Sequence, residues 1–106
     1  LVFLLAAAHP SDVAAIIAFS PGEYLSGVSV STAAAKVTAP VFVASAADAS
    51  EVAAAADILA ASPAKEKEQF IPKVGPHGAS LLRSDSNPDG ADEAWAALEA
   101  FLARLD

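Results

Sequence analysis

Two continuous apolar runs, Val13–Phe19 and Val41–Ser45, stand out along the chain. Neither run alternates with polar residues, which is typical of strands buried on both faces of a parallel sheet. We predict a third strand over Gln69–Val74. The stretch before it, Lys65–Glu68, alternates in charge sign and predicts a solvated approach to that strand.

Segments with helical spacing of apolar residues separate these runs. Leu1–Ala8 predicts a helix that ends at His9, because the following proline disfavours helix in the residue before it. Ser31 is a suitable cap for a short helix over Thr32–Val37, and a longer helix is predicted over Ser50–Ala61. The last helix has the clearest apolar stripe, and its members are Trp95, Leu98, Phe101, Leu102 and Leu105.

The alternation of helix and strand predicts an α/β fold with three layers, αβα, around a short parallel sheet of about three strands. Residues 1–106 form one partial domain in this interpretation. Leu1 already lies inside a helical pattern, so we expect the chain to be part of something longer. A secretory signal is the alternative, but the segment has no positively charged start and a strand follows almost at once.

Composition excludes several classes of function. The formal net charge is −7 with only six basic residues, which argues against nucleic-acid binding, because phosphates require clustered Lys and Arg. There is no cysteine, hence no disulfide framework and no thiolate zinc site. No apolar run reaches the length of a membrane span. These features do not select a cellular compartment for the protein.

An acid follows the second predicted strand and a histidine follows the third. Asp48 comes directly after Val41–Ser45, and His77 lies in the loop Gly75–Gly78. Carboxyl ends of parallel strands share one edge of the sheet, where ligands and catalytic groups collect. Two simpler interpretations remain open: Asp48 caps the next helix, with Glu51 completing a capping box, and His77 is an exposed loop residue.

A nucleophile for this pair is not obvious. Ser20 ends a strand and Gly22 follows two residues later, which superficially resembles a nucleophile elbow. The oxyanion hole of that elbow needs the backbone N–H of the next residue, and Pro21 has none. His9 is interpreted as a surface residue, and the two histidines lack metal-ligand spacing.

The ordered set of segments nevertheless resembles the C-terminal half of an α/β-hydrolase, closest to the small dienelactone-hydrolase-like serine esterases. The similarity covers the chain essentially end to end. It is carried by LVFLLAAAHP, VAAIIAFSPGEYL, APVFVASAAD, GPHGASLL and the final helix with Trp95. One departure is Ser45, where the family often has glycine before the acid.

This resemblance implies a catalytic triad in which Asp48 is the acid and His77 the base, with the nucleophile upstream of Leu1. Glu51 is the fallback acid. Tyr24 and Leu25 would border the substrate pocket, and the substrate would be a small-molecule carboxylic ester or related acyl compound. The resemblance implies no cofactor and no metal.

A different class of function is a non-catalytic βα module that acts in packing or partner binding, with Asp48 as a cap and His77 on the surface. In either case we expect the chain by itself to be inactive towards esters and towards serine-directed probes. Val13–Phe19 is apolar on both faces, so we also expect the isolated chain to be marginally stable or to self-associate through an exposed sheet edge.

Overall fold

Helices and parallel strands alternate through residues 1–105, the part of the chain that this computed structural model describes. The elements in chain order are α1 (Val2–Ala8), β1 (Ile16–Phe19), α2 (Val30–Ala34), β2 (Val41–Ala44), α3 (Ala49–Ala61), β3 (Lys67–Phe70), a 3₁₀ helix (Gly78–Leu82) and α4 (Ala91–Ala103). The three strands form one sheet in the order β1-β2-β3, and both pairings are parallel. The predicted α/β class with a short parallel sheet is confirmed.

The central strand, β2, is buried on both faces. Val41 and Val43 belong to one apolar cluster, whereas Phe42 and Ala44 belong to another. Successive side chains of a strand point to opposite faces of the sheet, so the two clusters are the two halves of the core. An uninterrupted apolar run is what such a strand requires.

Helices cover both faces, which gives three layers. The cluster on one face contains Phe3 of α1, Val30 of α2 and Ile58 of α3. The cluster on the other face contains Leu81 of the 3₁₀ helix and Phe101 of α4. Phe101 packs against the central strand through Phe42, with ring centroids 5.5 Å apart.

β1 is shorter than predicted. It starts at Ile16 rather than Val13, and Ile16 pairs with Val41, the first residue of β2. The backbone N–H of Ile16 donates to the carbonyl of Pro40 at 2.8 Å. The pairing of β1 thus begins only where β2 begins, and the apolar residues before Ile16 have no residue of β2 to pair with.

β3 lies earlier than predicted, over Lys67–Phe70 instead of Gln69–Val74. The charged residues that predicted a solvated approach are partly inside the strand, because an edge strand with an exposed side tolerates charge. Glu68 pairs with Arg104 after α4. The ladder stops at Phe70, and Pro72, which has no N–H to donate, follows two residues later.

The cap of α2 was also predicted wrongly. Ser29, not Ser31, is the N-cap, and its hydroxyl accepts from the Thr32 N–H at 3.1 Å. The carboxylate of Glu23 accepts from the N–H groups of Val30 and Ser31, both at 2.8 Å. These two hydrogen bonds, Val30 first, lower the pKa of Glu23 below its ordinary value. A residue in the preceding loop therefore helps to start the helix.

The buried stripe of α4 differs in phase from the predicted one. Leu98 and Phe101 are buried as expected, but Trp95 and Leu102 are exposed. The small residues Ala91 and Ala94 face the sheet instead, which lets the helix approach closely. The Trp95 side chain extends from α4 to the end of the 3₁₀ helix, where its indole N–H donates to the Leu82 carbonyl at 2.7 Å. This bond satisfies the polar group of the side chain.

Among the described residues, none of the helices is both long and apolar enough to traverse a bilayer.

Candidate functional site

The loops that follow the three strands meet at the carboxyl edge of the sheet. Ser20 follows β1 directly, Glu51 lies in the first turn of the helix after β2, and His77 lies in the loop after β3. The Oγ atom of Ser20 hydrogen-bonds to the loop that carries His77. This convergence is what a parallel sheet with successive connections produces.

Asp48 is the N-cap of α3. Its carboxylate accepts hydrogen bonds from the Ser50 hydroxyl and, at 3.2 Å, from the Glu51 N–H. These hydrogen bonds, that of Ser50 first, lower the pKa of Asp48 below its ordinary value of 3.8. The predicted capping interaction is therefore present. Within residues 1–105 the side chain of Asp48 is not hydrogen-bonded to His77.

The structure brings His77 together with Glu51 instead. The Nδ1 atom of His77 lies 2.6 Å from Oε1 of Glu51. The Glu51 side chain is only 20% exposed, whereas that of His77 is 63% exposed. A carboxylate at Nδ1 favours the tautomer with the proton on that nitrogen. Nε2 is then the nitrogen left for proton exchange with a bound molecule.

The helix start explains why the carboxylates differ in role. Asp48 has extended backbone angles, φ −60° and ψ 131°, and its short side chain turns back over the first N–H groups of α3. Glu51 is already helical, and its longer side chain extends from the helix to the His77 loop. The D-x-x-E pattern thus provides one cap and one side chain for the histidine, rather than two reciprocal caps.

Tyr24 contacts His77 from the loop after β1. The two rings meet edge to face, with centroids 6.2 Å apart and planes at 70°. The Tyr24 hydroxyl donates to the Ser20 carbonyl at 2.8 Å. Most of the ring is exposed, but desolvation of the hydroxyl, and then the charge of Glu51, raises the pKa of Tyr24. An ordinary phenol, with a pKa of about 10, is already a hydrogen-bond donor at neutral pH, and this shift does not change that.

A cavity of about 280 Å³ adjoins the same loop. Its walls come from the start of α1, the end of β1, the loop that follows and the first residue of α2, and they include Phe3, Phe19, Tyr24 and Val30. Tyr24 therefore lies between this cavity and His77. Leu25, the other predicted pocket residue, is exposed and is not part of the cavity wall.

Ser20 is the residue that sequence reasoning undervalued. Its φ of +51° is the one positive value among the non-glycine residues of the described chain. It is only 2% exposed, and its hydroxyl accepts from the Gly78 N–H at 2.8 Å. The Ser-Pro-Gly sequence at a strand end was a usable signal for unusual backbone. The partner, 58 residues away, had no signal of its own.

The remaining candidate residues do not join this cluster. His9 is exposed, and its Nδ1 lies 4.0 Å from a carboxylate oxygen of Asp12. No group of three or more His, Asp or Glu side chains gathers as a metal site within residues 1–105.

Comparison with known proteins gave no match: no family model fits the chain, and neither the curated proteins nor the solved structures contain a significant relative.

Proposed function

We propose that this chain supplies the histidine and the acid of a serine hydrolase that cleaves a carboxylic ester or a related acyl bond. The observation that carries the proposal is the 2.6 Å contact between His77 Nδ1 and Glu51 Oε1 at the carboxyl edge of the sheet. The resemblance of the chain to the C-terminal half of dienelactone-hydrolase-like esterases supports it. The nucleophile would come from a segment upstream of Leu1.

In this proposal Nε2 of His77 acts first as general base and then as general acid. It accepts the hydroxyl proton of the nucleophile as the oxygen attacks the ester carbonyl, and then gives that proton to the departing alcohol. In the second half of the cycle it takes a proton from water, which attacks the acyl-enzyme. The same proton returns to the nucleophile as the acid product leaves.

Glu51 is the proposed acid, in place of Asp48. Its carboxylate accepts from the protonated Nδ1 of His77, holds the ring in one tautomer and stabilises the imidazolium that forms during each step. Asp48 supports the site indirectly, since its cap holds the first turn of α3, from which Glu51 extends. Both carboxylates of the D-x-x-E pattern are thus used, in different roles.

The cavity beside Tyr24 is the proposed acyl pocket. Its walls are largely apolar, and apolar walls with a few polar groups are typical of sites for small organic ligands. A volume of about 280 Å³ suits a small acyl group. Tyr24 would form the side of this pocket that is nearest to the His77 ring.

Activity measurements on the complete protein that contains the nucleophile test the proposal. His77→Ala should lower kcat/KM for an activated ester by about 10⁴-fold or more. Glu51→Gln should lower it by roughly 10³- to 10⁴-fold, because glutamine no longer fixes the reactive tautomer. Asp48→Asn is the matched control, since it also removes one carboxylate but keeps a capping oxygen, and its loss should stay below about tenfold.

Full activity of His77→Ala would refute the hydrolase proposal. If Asp48→Asn were the severely impaired variant and Glu51→Gln the active one, the acid would be Asp48. Circular dichroism of all three variants should show the unchanged fold.

A binding module is the second candidate function, and the outer edge of β1 favours it. β1 is an end strand of the sheet, and among residues 1–105 no other strand pairs with that edge. Unlike β3, which pairs Glu68 with Arg104, β1 consists of the uncharged residues Ile16–Phe19. Unprotected apolar edges invite pairing with another chain.

Size-exclusion chromatography with light scattering would test this edge. We expect the chain to elute as a concentration-dependent oligomer, and Ile17→Lys to shift it to the monomer by placing a charge on β1. Leu5→Lys, which changes an exposed residue of α1, is the control. A strictly monomeric unmodified chain would contradict the binding edge without bearing on His77.

A further inference from the structure

Ser20 combines an unusual backbone conformation with a buried side chain. Its backbone is left-handed, with φ +51°, a conformation that costs an ordinary residue roughly 1–2 kcal/mol compared with glycine. Its side chain is almost fully buried at the end of β1. Such strain persists only where surrounding contacts hold it, and it tends to accompany functional sites.

Three hydrogen bonds hold Ser20. Its N–H donates to the Ala44 carbonyl at 2.6 Å, which extends the pairing of β1 and β2 by one residue. Its carbonyl accepts from the Tyr24 hydroxyl at 2.8 Å. Its hydroxyl accepts from the Gly78 N–H at 2.8 Å. The first bond anchors Ser20 to the sheet, and the other two lead towards His77.

The bond to Gly78 acts on the residue after the histidine. The N–H of Gly78 belongs to the peptide unit that also contains the carbonyl of His77, so holding this N–H orients the His77 backbone. Gly78 has a φ of +74°, and a Cβ atom there would meet nothing within 4 Å. Glycine is therefore suited to this position by its left-handed backbone and not by lack of space.

The bond to Tyr24 acts on the imidazole ring itself. Tyr24 meets the ring of His77 edge to face, and the Ser20 carbonyl holds its hydroxyl in place. Glu51, on the other side of the imidazole, is positioned by the helix that starts directly after β2. Both partners of the pair are thus positioned relative to the end of β2. Glu51 is connected to it through α3, and His77 is connected to it through Ser20.

We propose that Ser20 is a positioning residue for His77: its buried hydroxyl holds the Gly78 N–H so that Nδ1 of the imidazole stays on the Glu51 carboxylate. This inference deepens the proposed function and rests on its His77–Glu51 pair. In this proposal Ser20 holds the loop and transfers no proton itself.

Nitrogen-detected NMR of the histidine rings in the chain tests the inference. In alkaline solution, where imidazoles are neutral, the ¹⁵N shifts report the ratio of the Nδ1–H to the Nε2–H tautomer. We expect the Nδ1–H form of His77 to dominate in the unmodified chain. Ser20→Ala and Ser20→Gly should each lower the tautomer ratio by about threefold to tenfold, because both lack the acceptor for Gly78.

The two variants differ in one respect, which makes them a matched pair. Alanine keeps the strain of a left-handed residue with a Cβ atom, whereas glycine relieves it. Equal effects on His77 identify the hydroxyl as the cause. An effect in Ser20→Ala only would assign the change to backbone strain and overturn the inference. Ser20→Gly also keeps the test usable if the alanine variant fails to fold.

Ser62→Ala is the control for lost stability. Ser62 is 2% exposed, as Ser20 is, but it hydrogen-bonds to Val37 and Ala64, before β2 and β3. We expect this variant to leave the His77 ratio unchanged, and the signals of exposed His9 to be the same in every sample.

The outcomes separate the two proposals. A tautomer ratio that is unchanged in both Ser20 variants, or changed equally by Ser62→Ala, would overturn the role of Ser20 alone. A dominant Nε2–H tautomer of His77 in the unmodified chain would overturn the His77–Glu51 pair, and with it the proposed function.

Discussion

The strands of the sheet start at its amino edge and end at its carboxyl edge. At each of these two edges a buried serine joins segments that are distant in sequence, yet the two edges are built differently. At the amino edge, the Ser62 hydroxyl donates to the Val37 carbonyl at 2.7 Å and accepts from the Ala64 N–H at 3.2 Å. Lys67 donates to the carbonyl of Leu59, in the last turn of α3, and to that of Ser62, the C-cap residue. These contacts satisfy backbone groups around the end of α3, where the Leu59 carbonyl also accepts from the Ser62 N–H at 3.2 Å.

At the carboxyl edge, the same residue type is used in strained backbone beside an exposed histidine. Ser20 has a positive φ, and its hydroxyl supports a loop from which most of the His77 side chain projects into solvent. Ser62, by contrast, has an ordinary extended conformation, φ −77° and ψ 133°. One edge is organised for stability, and the other keeps strained backbone beside the His77–Glu51 pair, a combination that is common at functional sites.

Removing the Ser62 hydroxyl should have the largest effect on stability. Ser62→Ala leaves the Val37 carbonyl and the Ala64 N–H buried without their partner, and we expect a loss of about 1–3 kcal/mol in the free energy of unfolding. Urea denaturation of the chain measures it. Ser86→Ala, at an exposed serine in the loop before α4, is the control and should be nearly neutral. An equally neutral Ser62→Ala would remove the distinction between the edges.

Substitution of Ser20 should lower the free energy of unfolding by less, and the two variants should differ from each other. Both Ser20→Ala and Ser20→Gly lose the bond to Gly78, but only glycine relieves the left-handed backbone. We therefore expect Ser20→Gly to be more stable than Ser20→Ala by about 1 kcal/mol. The same denaturation experiment decides it. If alanine were the more stable variant, Ser20 would not be strained.

The smallest expected effect is the pH dependence of the Asp48 cap. Because its pKa is lower in the folded chain than its ordinary value of 3.8, Asp48 stabilises the fold above that pH. The contribution is lost as the pH falls through the lowered value. Asp48→Asn keeps a capping oxygen but does not titrate, so its stability should fall less on acidification than that of the unmodified chain.

Urea denaturation at neutral pH and at about pH 3 would measure this difference in stability. The lower pH lies in the range where carboxylates titrate. Asp57→Asn, at an exposed position further along α3, controls for the loss of one negative charge. Identical acid sensitivity of the unmodified chain and Asp48→Asn would contradict a stabilising, ionised cap.

Local sequence determined most of the architecture. The apolar run at Val41 predicted a strand buried on both faces, because no polar residue interrupts it over the length of β2. Asp48 predicted the start of α3 to within one residue, since a carboxylate before a helical segment satisfies its first N–H groups. The alternation of these elements was enough to predict a parallel sheet between layers of helices.

Which residues meet at the carboxyl edge was decided only by the tertiary structure. The D-x-x-E pattern made Asp48 and Glu51 both eligible as partners of His77, and the choice depends on the direction of each side chain at the start of α3. Ser20 and Gly78 likewise meet only because β1 and β3 end at the same edge of the sheet, which brings the residues after the two strands together. Caps and buried strands depend on neighbours within a few residues, which a sequence displays. The approach of two loops depends on how the whole sheet is assembled, because strand register and helix packing set the distance between them.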